Sequence, residues 1–150
     1  MEKIIKLNLN YCLLTICSIL LLSNVFAKQE NLKVFNQNNY SFINAGNTNE
    51  EIEKLKKLVP KYAIQLIFKE GGKSEKVKGI EIKIYDKSGD LVIQYLTIAP
   101  FMFIKPPSGL RRGRYKIEAK FKDEIITKTK DLLGRRNLVL VFDFKKHNSR

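Results

Sequence analysis

Two hydrophobic periods divide this chain. Between Asn49 and Val59 the apolar residues recur every three or four positions. Ile52, Leu55, Leu58 and Val59 fall on one stripe, which predicts an amphipathic helix. Thr48 stands at the capping position, Glu51 completes a capping box three residues on, and Glu50 and Glu53 favour the positive end of the helix dipole. Lys54, Lys56 and Lys57 sit toward the other end, and Pro60 closes the segment. A helix this short is marginal alone, so its stripe must dock on a partner.

From Ala63 the period changes to two. Ala63 to Phe68 is a short apolar run, and Ile80, Ile82 and Ile84 alternate with Glu81, Lys83 and Tyr85. Leu91 to Ile98 and Phe101 to Ile104 are nearly continuous apolar runs either side of Ala99-Pro100. Tyr115, Ile117, Ala119 and Phe121 alternate with lysine and glutamate, Ile125 to Lys130 alternates again, and Leu138, Leu140, Phe142 and Phe144 form the last run. Seven short strand candidates separated by turn signals predict a mainly β fold, a seven-stranded antiparallel Ig-like β-sandwich with one packed N-terminal helix.

The turns set the expected pairings. Glu70 to Ser74 separates the first two strands, and Asp86-Lys87-Ser88-Gly89-Asp90 makes a tight turn between the second and third. At Lys122-Asp123-Glu124 a three-residue loop would pair Phe121 with Ile125 and Ile117 with Thr129, whereas a two-residue loop would mix core and solvent faces by setting Ile117 against Lys128. The three-residue register is the one expected. It would leave Lys116, Lys120, Lys128 and Lys130 on one outer face with Glu118 opposite Lys128.

The N-terminus follows neither period. Lys3 and Lys6 precede an apolar block from Tyr11 to Leu22, and Val25-Phe26-Ala27 fits a signal-peptidase site cut after Ala27. Asn10, Ser18, Ser23 and Asn24 dilute the segment below an uncleaved anchor, and Ile16 before Cys17 argues against a lipoprotein box. Residues 1–27 therefore read as a cleavable signal, and the protein is expected in the periplasm or the medium. Residues 28–47, rich in Asn and Gln, read as a polar arm, 48–144 as the helix-plus-sandwich domain and 145–150 as a basic tail. Both cysteines, Cys12 and Cys17, lie in the leader, so the remainder forms no disulfide and depends on a packed core.

Charge narrows the partners. The chain carries a formal net charge of +13, almost all of it beyond the leader. In an exported protein this predicts no nucleic-acid partner. It points instead to an envelope component, an anionic lipid or lipopolysaccharide surface, or a protein; the alternative is a solvated lysine-rich surface. The stretch Pro106 to Tyr115 is the most distinctive: the prolines end a strand, Gly109 and Gly113 allow reversal, and Arg111, Arg112 and Arg114 supply forked donors for phosphate or carboxylate. With Lys116, Lys120, Lys128 and Lys130 they are the candidate anion or partner contacts.

Candidate chemistry is otherwise thin. Asp86 to Asp90 has its glycine at the fourth position instead of the sixth an EF-hand requires, so it reads as a β-turn. His147 is the single histidine and stands in the basic tail. Ser41, Ser74, Ser88, Ser108 and Ser149 fall in loops or termini without an assignable base, and Asp123 with Glu124 reads as a turn pair. No enzymatic activity, metal or cofactor is expected.

In order, Gly46 before the Glu50 to Leu58 helix, Ala63-Ile64-Gln65-Leu66-Ile67-Phe68, Asp86 to Gly89, Ala99-Pro100-Phe101 and Pro107 through Gly113-Arg114-Tyr115-Lys116-Ile117-Glu118-Ala119 make a pattern. It resembles the small exported proteobacterial proteins with a carboxypeptidase regulatory-like (transthyretin-like, prealbumin-type) domain. The chain departs from that family at Ala99, where glycine is usual, and in the extra residues Ser108 to Arg112. The resemblance implies a seven-stranded sandwich and a non-catalytic role.

Overall fold

A computed structural model of the chain describes residues 32–74, 77–108, 112–134 and 137–146. The expected signal peptide at 1–27, the first residues of the arm, Arg111 and His147 lie outside the described residues.

Among the described residues, nine strands and one α-helix follow in the order β1 (Val34–Gln37), β2 (Tyr40–Ala45), α1 (Asn49–Leu58), β3 (Ile64–Glu70), β4 (Glu81–Tyr85), β5 (Leu91–Leu96), β6 (Phe101–Lys105), β7 (Arg112–Phe121), β8 (Glu124–Leu133) and β9 (Leu138–Phe144), with a 3₁₀ turn at Val59–Lys61. All seven expected strands are present as β3 to β9. The two additional strands, β1 and β2, arise inside the segment read as a polar arm. Asn38 and Asn39, at φ 48° and 66°, form the two-residue loop joining them. Asparagine tolerates this left-handed conformation, and two successive positive φ values give the hairpin a twist that matches its strands.

The strands form two sheets, β1-β2-β6-β3-β9 and β5-β4-β7-β8. Pairing is antiparallel except that β9 runs parallel to β3, from Ile64 opposite Leu138 to Glu70 opposite Phe144, a departure from the all-antiparallel expectation. Between the sheets lies one apolar core. Phe42, Leu66, Phe68, Ile104 and Phe142 come from the five-stranded sheet, and Ile82, Ile84, Ile93, Tyr115 and Ile117 from the other. Val92 and Ile93 are both buried because the β4–β5 register shifts at Ile84/Tyr85, which breaks strict alternation.

The helix docks on the opposite face of the five-stranded sheet. Leu55 is buried against Ile43, Ala45, Tyr62 and Phe103, with Leu58, Val59 and Phe101 at the margin. This second cluster explains the unbroken apolar run of β6, whose residues are covered on both faces. The cap forms as expected: Thr48 Oγ1 accepts the Glu51 N–H at 3.2 Å. Glu51 Oε2 reaches further back than a standard capping box and accepts the Gly46 and Asn47 N–H groups, each at 2.8 Å.

The β7–β8 register differs from expectation. Phe121 pairs with Glu124 and Ile117 with Lys128, so the loop is the two residues Lys122-Asp123, with Lys122 at φ 53°. The physical reason is the position of β8: as an edge strand it keeps no continuous apolar face. Ile125 is exposed on the outer surface, and Lys128 turns to the inner side with its Nζ 5.5 Å from the centre of the Phe142 ring. An inward-pointing lysine on an edge strand blocks edge-to-edge pairing, a role that alternation alone does not reveal.

Candidate functional site

The candidate contacts divide between two faces of β7 and β8. Arg112, Arg114, Lys116 and Lys120 alternate with Tyr115, Ile117 and Ala119, which are buried, so these four basic residues lie on the outer surface of the four-stranded sheet. Lys128 and Lys130, opposite Ile117 and Tyr115, take the other side. The stripe of four lysines on one face is therefore corrected: the register of the edge strand separates it into two pairs.

Carboxylates occupy much of the outer face. Arg114 Nε donates to Asp131 Oδ1 at 3.1 Å, Lys116 lies 2.6 Å from Glu118, and Lys83 lies 3.4 Å from Glu81. Tyr85 also donates its hydroxyl to Glu118 at 3.3 Å, and Lys116 Nζ stands 5.1 Å from the centre of the Tyr85 ring. The Lys116 hydrogen bond holds the Glu118 carboxyl below its ordinary pKa, and Glu118 in turn raises that of Lys116. Lys120 faces Glu81 across the β4–β7 pair, beside a small hollow of about 60 Å³ lined by Glu81, Lys83, Glu118, Lys120 and Ile125. These exposed pairs neutralise charge locally and each adds little to stability.

The basic loop also changes character. Arg112 and Arg114 belong to β7, opposite Leu133 and Asp131, and Gly113 is a strand residue opposite Leu132 instead of a reversal point. The preceding strand β6 ends at Lys105 before Pro106, as the prolines dictate. At the Arg112 end of the strand pair, a shallow hollow of about 300 Å³ is lined by Arg112, Gly113, Asp131, Leu132 and Leu133. Two features there were not anticipated. Lys87, from the β4–β5 turn, packs its stem against Gly113, and the Arg112 guanidinium lies against Gly134. The available signal was two glycines each flanked by arginine in sequence, Gly113 between Arg112 and Arg114, and Gly134 before Arg135.

Lys87 is held by its turn. Asp86 Oδ1 accepts the Ser88 N–H at 2.8 Å and the Asp90 N–H at 3.2 Å, the Gly89 N–H bonds back to the Asp86 carbonyl, and Gly89 takes φ 84°. The carboxylate thus closes an Asx-type turn. Among the described residues no group of three His, Cys, Asp or Glu side chains converges to hold a metal ion. Ser41 donates its hydroxyl to Asn36 Oδ1 at 2.7 Å. Among the described residues no helix is long and apolar enough to cross a membrane. Comparison with protein-family models, with curated proteins and with solved structures finds no match.

Proposed function

We propose that this chain is an exported, non-catalytic binding module that engages an anionic component of the cell envelope through the basic end of its four-stranded sheet. It is read as an Ig-like sandwich related to the carboxypeptidase regulatory-like (transthyretin-like) domains, enlarged by the β1–β2 hairpin. The observation that carries the reading is an excess of cation on one surface. Arg112, Arg114, Lys83, Lys116 and Lys120 share the outer face with the acids Glu81, Glu118 and Asp131, and Arg112 has no carboxylate partner among the described residues. Unmatched positive charge concentrated on one face attracts polyanions and steers their approach.

Salt dependence tests this. Retention on lipopolysaccharide or on anionic vesicles is expected to fall steeply as ionic strength rises, because counterions screen exposed charges over about 10 Å at 0.1 M salt. Retention that ignores salt, or none at all, would sink the reading.

A second reading, assembly by strand addition, is favoured by β9. It is an edge strand, paired with β3, and Val139 and Val141 are exposed on its outer face. The Phe35 to Phe42 segment is not a free donor in this reading, since Phe35 stacks on Phe42 at 5.4 Å and meets Tyr95 at 5.2 Å. Val141→Lys is expected to abolish capture of a strand-donating partner while leaving polyanion binding intact; unchanged capture would remove this alternative.

A further inference from the structure

Two basic side chains cross bare backbone at the same end of β7 and β8. A Cβ placed on Gly134 would lie 2.9 Å from Arg112 Nε and 3.4 Å from its Nη2. One placed on Gly113 would lie 3.3 Å from both Cβ and Cδ of Lys87. Both glycines also take positive φ, 65° at Gly134 and 147° at Gly113, a region in which other residues are strained. The missing side chain at Gly134 is therefore what lets the Arg112 guanidinium lie over the backbone there, and the one at Gly113 leaves room for the Lys87 stem.

Arg112 is held over Gly134. The carboxylate nearest in the ladder, Asp131, is taken by Arg114 Nε at 3.1 Å, and Arg112 has no acid partner among the described residues. Opposite Arg112 across the β7–β8 pair stands Leu133, 68 % exposed, the most exposed large apolar side chain among the described residues. Cation and leucine share the rim of the shallow hollow of about 300 Å³. A soluble phosphate gains from the arginine fork but nothing from the leucine. A bilayer with anionic headgroups uses both, since the fork matches phosphate oxygens and the leucine can leave water for the acyl boundary.

We propose that this end of β7–β8 is a docking surface for a phospholipid bilayer carrying anionic phosphate headgroups. Arg112 takes phosphate oxygens and Leu133, opposite it in the ladder, enters the interface. This deepens the polyanion reading and rests on it. Single sites of this kind bind weakly and reversibly, in line with an exposed, open surface.

The test is co-sedimentation of the purified chain with phosphatidylcholine vesicles, with and without phosphatidylglycerol. Each variant is compared with the parent chain so that any contribution of residues 1–27 is common to all. Arg112→Glu is expected to lower partitioning onto anionic vesicles by about fivefold or more. Leu133→Ser and Gly134→Ala should each lower it as well, the latter with every charge retained because a Cβ displaces the guanidinium. Melting curves confirm that each variant is folded. The chain has no tryptophan, so Leu133→Trp supplies a single reporter whose emission should shift to the blue on anionic vesicles and stay unshifted in inorganic phosphate. Salt-sensitive vesicle binding that ignores Arg112→Glu, Leu133→Ser and Gly134→Ala overturns this site while leaving the polyanion reading in place. An unshifted Leu133→Trp spectrum on vesicles, with inorganic phosphate competing at matched ionic strength, overturns the bilayer in favour of a soluble phosphate. No binding to either vesicle overturns this site, and lipopolysaccharide retention measured alongside then decides the broader reading.

Discussion

Asn44 Oδ1 accepts the Ile98 N–H at 2.6 Å. The same carboxamide donates through Nδ2 to the Ala99 and Phe101 carbonyls, both at 2.8 Å, so one buried side chain in β2 satisfies two backbone groups of the β5–β6 connection and one at the start of β6. That connection passes from one sheet to the other, and its polar groups would otherwise be left without partners near the core. Asn44→Ala is therefore expected to cost roughly 2–4 kcal/mol, the penalty of orphaning buried backbone groups. Urea unfolding of the two proteins measures this, and a loss below about 1 kcal/mol would show that the connection reorganises freely.

Gly46 sits directly after that strand, where the chain turns into the helix cap. Its φ is 112°, and a Cβ there would lie 2.2 Å from Phe101 Cδ2, well inside contact distance. Gly46→Ala combines backbone strain with a collision against a ring that packs on the helix cluster, and about 3 kcal/mol or more of stability should be lost. If the ring is the obstacle, Gly46→Ala combined with Phe101→Leu should lose less than the two single changes summed. Additive losses in the double-mutant cycle would place the whole cost in the backbone instead.

Much of this architecture is legible from residue pattern, and the failures share a physical cause. The α1 cap follows from its capping residues, and the strands β3 to β9 follow from alternation or from short apolar runs bounded by turn signals. The β1–β2 hairpin is hidden because β2 is buried on both sides, with Phe42 against the main core and Ile43 against the helix cluster, so it does not alternate. Its turn is Asn38-Asn39, without the glycine that usually marks such loops. The β7–β8 register departs from simple alternation because the inner face of β8 carries Lys128 and Lys130 between Ile126 and Leu132. An edge strand needs protection as well as burial, and here Lys128 provides it. For the site, arginines were visible in sequence, but their placement within β7 was not. Nor was the contact of the Lys87 stem with Gly113, which joins residues of the β4–β5 turn and β7.

Tyr40 gives the fold an alkaline limit. Its hydroxyl pKa is pushed up chiefly by burial, then by the neighbouring Tyr115 hydroxyl and by Asp86. Burial likewise raises Tyr115. A tyrosine whose folded pKa lies above its unfolded value, near 10, contributes stability that is complete below that pH. The contribution is lost as pH rises through the folded value, because only the unfolded chain ionises in between. Stability should thus fall progressively above about pH 10, with buried tyrosinate absorbance appearing only on unfolding. Tyr40→Phe should move the alkaline unfolding midpoint upward while changing stability at pH 7 by less than about 1 kcal/mol. A midpoint that stays put would assign the alkaline limit to other groups.

Lys128 makes the last case, in which solubility and stability should separate. Its Nζ lies 5.5 Å from the centre of the Phe142 ring, so the side chain of one edge strand covers an aromatic residue of the other sheet's edge strand, β9. The cation–π contact itself is worth about 0.5–1 kcal/mol at a partly exposed site. A valine there would recover some of that through apolar burial and strand propensity. Lys128→Val should therefore leave the urea midpoint nearly unchanged. It should also remove the charge that keeps β8 and β9 from pairing with other molecules, and leave the apolar run Leu138 to Phe142 flanked by an apolar edge. Concentration-dependent association in light scattering, absent from the parent chain and suppressed in Lys128→Arg, is the expected result. A Lys128→Val protein that remains monomeric at the same concentration would show that the lysine does no more than pack on Phe142.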